Sequence, residues 1–230
     1  MIEVKYLNRF LIFAGLFILD MLYSSIIILL FKEIGIDIAS LNNKYQTISF
    51  ILIDLSFMLI LYIIFRKELN RELIKYFKNF KDYFGFGFKC WIFGLLIMMI
   101  SNIIIQLIYP STADNEAAIQ SALTIMPLYI AFSSCIFAPF VEEIIFRKSL
   151  RKVFNNDVLF IIFSGLLFGL VHNLTNLNSL GLLYIIPYGS FGAVFAYMYV
   201  KTNNIFSSIT FHFIHNTILI SISLMSSGVI

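Results

Sequence analysis

Two adjacent carboxylates and an arginine are the residues of this sequence best suited to chemistry. Glu142 and Glu143 lie in the apolar run APFVEEIIFRKSL, and Arg147 follows Glu143 by four residues. In a helix this spacing lets Glu143 and Arg147 form an ion pair on one face, while Glu142 points about 100° away. Neighbouring carboxylates repel each other, which suits one of them to exchange protons as a general base or acid. By itself the pattern fits equally well a helix end whose charges meet lipid headgroups.

A second element pairs an aromatic residue with a histidine. Phe168 and His172 are four residues apart in SGLLFGLVHNL, so they share a helix face. Gly165 and Gly169 have the same spacing, and small residues four apart allow a neighbouring helix to approach closely. Alone, this element also fits a packing helix with a histidine near the membrane interface.

A third element carries a histidine and an amide. His212 and Asn216 are four residues apart in SSITFHFIHNT and point the same way, with His215 beside their face. All three histidines of the chain lie in apolar stretches, where an ionisable side chain is costly and is a functional hypothesis by default. Taken alone, the element also fits a hydrogen-bonded polar patch between helices.

The three elements together are much more specific than any one of them. A glutamate and two histidines, here Glu142, His172 and His212, can bind Zn²⁺ and leave a position for water. Without a metal, the carboxylate can activate a water while histidine and Asn216 stabilise an oxyanion. Both arrangements predict hydrolysis of an amide inside a membrane, and the residues serve either scheme.

The elements that must position these residues are membrane helices. Of the 230 residues 60% are hydrophobic and only 13% are charged, and the mean hydropathy is +0.92. Soluble domains carry about 25% charged residues, so the composition predicts an all-α, polytopic membrane protein embedded in the lipid bilayer. The two cysteines lie in apolar stretches and predict neither a disulfide framework nor a Cys-rich zinc site. The net charge of +3 gives no indication of a nucleic-acid partner, and we expect none.

Seven apolar stretches are long enough to be membrane-spanning helices. The sixth contains Pro187 and three glycines, so it is expected to be kinked or split, which would raise the count to eight. The stretches are Leu7–Phe31, Ile48–Phe65, Gly85–Tyr109, Ala122–Phe146, Val158–Leu174, Leu180–Val200 and Ile205–Leu224.

The basic residues predict the orientation. With the N-terminus in the cytoplasm, 13 of the 16 Lys and Arg residues fall on the cytoplasmic side, as the positive-inside rule requires. The outer loop 110–121 carries acidic residues and no basic ones. Residues 66–84 are expected to form a solvated basic loop, with an amphipathic surface helix as the alternative. The chain then divides into residues 1–121, without a recognised motif, and a catalytic helical core at residues 122–230.

At these three elements the sequence resembles the CPBP family of CAAX proteases and bacteriocin-processing enzymes, also called the Abi family of intramembrane proteases. The resemblance runs from about Ile125 to Leu224. The residues that carry the family's motifs EExxxR, FxxxH and HxxxN are Glu142, Glu143, Arg147, Phe168, His172, His212 and Asn216.

The resemblance implies a membrane peptidase with a conical cavity open to the cytoplasm and to lipid. It implies that Glu142 activates the attacking water with help from His172, near the cytoplasmic leaflet, and that His212 and Asn216 stabilise the oxyanion. Glu143, Arg147 and Phe168 would support the site. A zinc ion on Glu142, His172 and His212 and a metal-free mechanism both remain open, and His215 has no assigned role.

The substrate and two other classes of function also remain open. The composition favours a bacterial plasma membrane and a membrane-associated peptide or protein substrate over a prenylated protein. A non-catalytic adaptor for another membrane protein, or a bacteriocin-immunity protein of the same fold, is the first alternative. A transporter is the second, because Asp20 and Asp54 lie in the first two apolar stretches.

Overall fold

The described part of the chain forms a bundle of eight helices. The computed structural model describes residues 2–110, 113–174 and 180–227, and these contain no β-strand. The predicted all-α architecture is therefore confirmed for this part of the chain, while the predicted domain limits at residues 1 and 230 lie outside it. The helices are α1 (Ile2–Glu33), α2 (Asn43–Lys78), α3 (Phe80–Ile108), α4 (Asp114–Ile125), α5 (Pro127–Lys152), α6 (Asp157–Val171), α7 (Ile185–Thr202) and α8 (Ile205–Ser227).

Among the described residues, six helices are long and apolar enough to cross a membrane, against the seven spans predicted. They are α1, α2, α3, α5, α7 with the 3₁₀ turn Gly181–Tyr184 before it, and α8. The predicted span Val158–Leu174 forms α6, whose 15 residues extend only about 22 Å, less than a hydrocarbon core of about 30 Å.

Proline positions account for two further differences from the prediction. The sixth stretch is not split at Pro187, because this proline lies in the first turn of α7, where its missing N–H has no partner to lose. The fourth span begins at Pro127 rather than at residue 122, because proline is favoured at a helix start and here separates α5 from α4.

The predicted basic loop at residues 66–84 is wrong, because these residues are helical. Helix α2 continues to Lys78 and α3 begins at Phe80. Glu72, on the buried face of this part of α2, accepts hydrogen bonds from Lys148 Nζ at 2.5 Å and from the Ile205 backbone N–H at 2.9 Å. The extension therefore anchors α5 and the first turn of α8.

Helices α6 and α7 pack backbone against backbone. A Cβ added at Gly165 would lie 2.7 Å from the Gly189 carbonyl oxygen, and one added at Gly169 would lie 2.6 Å from the Ile185 carbonyl oxygen. Only glycine fits at such an approach, so the close contact predicted from Gly165 and Gly169 is present. It brings the end of α6, which carries His172, against α7.

Candidate active site

Glu143 and Arg147 form the ion pair predicted from their spacing. Glu143 Oε2 lies 3.2 Å from Arg147 Nε, and both side chains are fully buried. Arg147 also donates to the Gly192 carbonyl oxygen at 3.1 Å, and its guanidinium lies 4.7 Å from the centre of the Phe168 ring. Because buried charges need partners, this set holds α5 against α6 and α7.

Two widened turns interrupt the regular helix of α5 around the glutamates. Residues Ser133–Phe137 and Ile144–Ser149 are π-helical, and Pro139 follows the first of these segments. A proline cannot donate to the preceding turn, which accounts for the first irregularity, and π-helical turns are frequent at functional sites. The chain between them, Ala138–Glu143, presents Glu142 and Glu143 to different surroundings.

Glu142 faces a cavity. Its side chain is 19% exposed, and Oε2 has no hydrogen-bond partner among the described residues. His172 Nε2 lies 3.9 Å from its Oε1, and His212 Nε2 lies 3.8 Å from its Oε2. Both distances exceed a direct hydrogen bond. The structure thus brings together three of the residues predicted for the site.

His172 is fixed by its backbone and by two aromatic rings. Its Nδ1 donates to the Phe168 carbonyl oxygen at 2.9 Å, which leaves Nε2 towards Glu142. The imidazole stacks on Phe168 at 4.2 Å and on Tyr188 at 5.1 Å between ring centres. Phe168 therefore supports the site by holding both this imidazole and the Arg147 guanidinium.

His212 links the two glutamates. Its Nδ1 lies 3.0 Å from Glu143 Oε1, and its ring stacks on Phe195 at 5.0 Å. Since Glu143 is paired with Arg147, its carboxylate accepts the Nδ1 hydrogen, and Nε2 points to Glu142. A line of contacts thus runs from Arg147 through Glu143 to His212.

Asn216 and His215 line the same cavity. The Asn216 amide donates to the Ser134 carbonyl oxygen at 2.8 Å, so one of its two N–H groups is held by the π-helical turn of α5. His215 stacks on Phe191 at 4.1 Å between ring centres and is nearly buried. The structure therefore places Asn216 in the cavity wall and gives His215 a packing role.

The cavity has a volume of about 560 Å³ and extends from the site to one end of the bundle. Glu142, His172 and His212 lie at its inner end, and Gln106, Glu116 and Ser223 lie towards the other. On the opposite side of Glu142 the next residues of α5, Glu143–Ser149, are buried. The cavity therefore extends away from the end of the bundle that carries Lys148 and its partner Glu72.

Two sequence expectations concern this direction. A cytoplasmic N-terminus places the basic residues in the cytoplasm, and the resemblance implies a cavity that also opens there. In the structure the basic end and the part of the cavity lined by Gln106, Glu116 and Ser223 lie at opposite ends of the bundle. The orientation of the chain and the side on which the cavity opens both stay predictions.

The donors for a metal are only partly arranged. Both histidines keep Nδ1 on an acceptor and turn Nε2 towards Glu142, as metal-binding histidines do. Within the described part of the chain, however, no group of three or more His, Cys, Asp and Glu side chains is spaced to hold an ion. Zinc on Glu142, His172 and His212 and the metal-free mechanism therefore both stay predictions.

The two aspartates that motivate the transporter alternative lie near the site. Asp54 is buried on α2, with Ser133 and Tyr129 of the cavity wall as neighbours. Asp20 on α1 lies close enough to Glu142 for the two carboxylates to interact. Sequence reasoning missed the aromatic residues Tyr188, Phe191 and Phe195, although the spacing of Phe191 and Phe195 by four indicates one helix face.

Comparisons with known proteins agree with the geometry. Residues 124–218 match the family described as type II CAAX prenyl endopeptidase Rce1-like. A Bacillus subtilis (strain 168) protein named "Putative membrane peptidase YdiL" is 30% identical over 115 residues, which are 49% of this chain and 44% of that protein. The "UPF0177 protein YvdC" of Lactococcus lactis subsp. lactis (strain IL1403) is 26% identical over 185 residues, 78% of this chain and 67% of the relative.

The matches cover only part of this chain and of its relatives. The chain spans less than half the length of the Bacillus relative, and the matched family segment covers the α5–α8 part that holds the site. No solved structure matches the chain.

Proposed function

Since residues 124–218 form an Rce1-like core, we propose that the protein is an intramembrane endopeptidase that hydrolyses a peptide bond with a water activated by Glu142. One observation carries the proposal. Glu142 faces a cavity with a carboxylate oxygen that has no hydrogen-bond partner in the described chain, between two histidine Nε2 atoms at 3.8 and 3.9 Å.

These distances suit a single water. They are too long for direct hydrogen bonds but short enough for one water to contact both the carboxylate and an imidazole. Glu142 takes a proton from this water, and the hydroxide oxygen bonds to the carbonyl carbon of the substrate. The C–N bond then breaks, and Glu142 returns the proton to the leaving nitrogen.

The hydrogen bonds at Nδ1 separate the roles of the two histidines. With its proton on Nδ1, His172 offers Nε2 as an acceptor, so it orients the attacking water. His212 donates its Nδ1 hydrogen to the Glu143 carboxylate, which fixes the ring with Nε2 towards the cavity. When Nε2 carries a proton it donates to the oxyanion, and the second N–H of Asn216 is the other candidate donor.

The depth of the site supports a membrane-associated substrate. His212 is seven residues from the start of α8 at Ile205, about 10 Å along the helix axis. Glu142 therefore lies inside the bilayer, in the half nearer the basic end of the bundle. With the N-terminus in the cytoplasm of a bacterial cell, this is the half of the plasma membrane nearer the cytoplasmic leaflet.

Peptidase activity of the detergent-purified protein tests the proposal. Wild type, Glu142→Gln and, as a control, Asp82→Asn at an exposed carboxylate of α3 are compared on membrane peptides. We expect Glu142→Gln to reduce turnover by about 10²–10⁴-fold, because the amide keeps the shape and loses the base. Asp82→Asn should keep the wild-type rate.

Two outcomes count against the proposal. Near-normal turnover in Glu142→Gln would remove Glu142 from the chemistry. A cellular phenotype that survives both Glu142→Gln and His172→Ala, with the proteins accumulating normally, would support the non-catalytic adaptor instead.

A further inference from the structure

The first widened turn of α5 leaves one backbone carbonyl free for a side chain. In the π-helical segment Ser133–Phe137, the Ala138 backbone N–H donates to the Ser133 carbonyl, five residues earlier in the chain. At the same spacing, the donor for the Ser134 carbonyl would be the backbone nitrogen of Pro139, which carries no hydrogen. The proline therefore removes the backbone donor that a regular continuation of this turn would supply to Ser134.

The Ser134 carbonyl accepts a hydrogen bond from α8 instead. Asn216 Nδ2 donates to this oxygen at 2.8 Å, across 82 residues of sequence. Ser134 and Asn216 both line the cavity that Glu142 faces. The position of the Asn216 amide in the cavity wall thus depends on a carbonyl that the backbone of α5 leaves available.

The same bond determines which way round the Asn216 amide lies. A carbonyl oxygen only accepts hydrogen bonds, so it binds the amide nitrogen and not the amide oxygen. In the reversed orientation two acceptor oxygens would face each other, which is unfavourable. With the nitrogen fixed in this way, one N–H is held by Ser134 and the second stays available as a donor.

We propose that Pro139 is a positioning residue of the site. By lacking an N–H, it keeps the Ser134 carbonyl free to hold Asn216, with the second amide N–H available to the substrate oxyanion. The part of the proposal that concerns the oxyanion rests on the proposed function.

Helix α2 supports the widened turn from the other side. Asp54 of α2 is buried, and its carboxylate has the side chains of Ser133 and Tyr129 as hydrogen-bonding neighbours. Consecutive residues of the turn therefore contact different helices, Ser133 towards α2 and the Ser134 carbonyl towards α8. The place of this carbonyl does not depend on Asn216 alone.

Thermal unfolding of backbone-matched variants tests whether the missing N–H matters. Pro139→Ala restores an N–H that competes with Asn216 for the Ser134 carbonyl. Lactic acid at position 139, introduced by nonsense suppression, has the side chain of alanine with an ester oxygen in place of the N–H. Asn216→Ala is added to each protein and the melting temperature is measured in detergent.

We expect the effect of Asn216→Ala to depend on the group at position 139. In the wild type and the lactic-acid protein it should lower Tm by about 2–4 °C, the shift for about one hydrogen bond in a chain of this size. In Pro139→Ala the shift should be about half as large or less, because the Ser134 carbonyl already has a backbone donor. Alanine is a good helix former, so Pro139→Ala is expected to fold.

Peptidase turnover is the second readout. We expect Pro139→Ala to lower kcat by about tenfold or more with little change in KM, because an oxyanion donor acts in the transition state. The lactic-acid protein should keep the wild-type kcat. Pro127→Ala, in the first turn of α5, is the matched control, since an N–H there has no partner within the helix and should not change the rate.

Two results would overturn the proposal. An equal Tm shift for Asn216→Ala in all three proteins would show that the bond to Ser134 does not depend on the missing N–H. Equal kcat values for alanine and lactic acid at position 139 would assign any effect to the proline ring instead. If the wild type cleaves no peptide, the proposed function fails, while the melting temperatures still decide whether Pro139 controls the bond to Asn216.

Discussion

At the scale of single residues, two neighbouring glutamates have opposite surroundings. Glu143 is fully buried and held by Arg147 and His212, whereas Glu142 is partly exposed and faces the cavity. The difference follows from the turn of about 100° between successive helical residues, which places one carboxylate in the packed interior and the next at a surface. Glu143 is therefore held by its partners, and Glu142 is the glutamate that we propose to react.

Substitution of Arg147 tests whether the ion pair with Glu143 stabilises the fold. Replacing it by alanine leaves the buried Glu143 carboxylate without its cation, so we expect Arg147→Ala to lower stability by about 3–5 kcal/mol. The measurement is thermal unfolding in detergent, with Arg66→Ala at an exposed site of α2 as the control. An Arg147→Ala protein with normal stability and no activity would place the guanidinium in the catalytic set instead.

At the scale of helices, the contact between α6 and α7 positions His172. A Cβ added at Gly165 would lie 2.9 Å from Ala193 Cβ and 2.7 Å from the Gly189 carbonyl oxygen. His172 follows the last turn of α6 and stacks on Tyr188 of α7. The contact between the two helices therefore holds His172 against Tyr188 and contributes to its position beside Glu142.

Gly165→Ala is expected to disturb both packing and activity. The added methyl group must push α6 away from α7, at a cost of about 1–3 kcal/mol, and should reduce peptidase turnover by moving His172. Gly85→Ala on α3 is the matched control, since a Cβ there meets nothing within 4 Å. The two variants are compared by melting temperature and turnover, and equal values for both would contradict the role of the α6–α7 contact.

At the scale of the whole molecule, the residues on one side of Glu142, Glu143–Ser149, are buried, and a cavity continues on the other side. This cavity is lined by residues of α3, α4, α5, α6, α7 and α8. Helix α4, where the sequence predicts part of an outer loop and the start of a span, contributes Glu116 to the cavity wall. Residues 111 and 112 of that loop lie outside the described chain.

Whether the assembled site needs a metal can be tested directly. Since no three donors in the described chain are spaced to hold an ion, we expect peptidase activity to survive chelation. The measurement is elemental analysis of the purified protein together with turnover before and after a chelator. About one zinc per chain, with activity lost on chelation and restored by zinc, would instead make Glu142, His172 and His212 metal ligands.

The sequence alone determined what depends on local composition and helical spacing. The membrane helices follow from hydropathy, the Glu143–Arg147 pair from a separation of four residues, and the close approach at Gly165 from small side chains. The local sequence pattern did not determine every element. It did not show that residues 66–84 are helical, because the Glu72 contacts that bury this segment come from α5 and the start of α8.

Only the tertiary structure decided how the three motifs meet. Glu143 and His212 are 69 residues apart in the chain, and their hydrogen bond determines which imidazole nitrogen faces Glu142. The direction of the cavity likewise depends on six helices together. Such contacts arise when segments distant in the sequence pack together, and no local pattern of residues predicts them. The motifs therefore predicted which residues meet at the cavity, and the packing decided how they face each other.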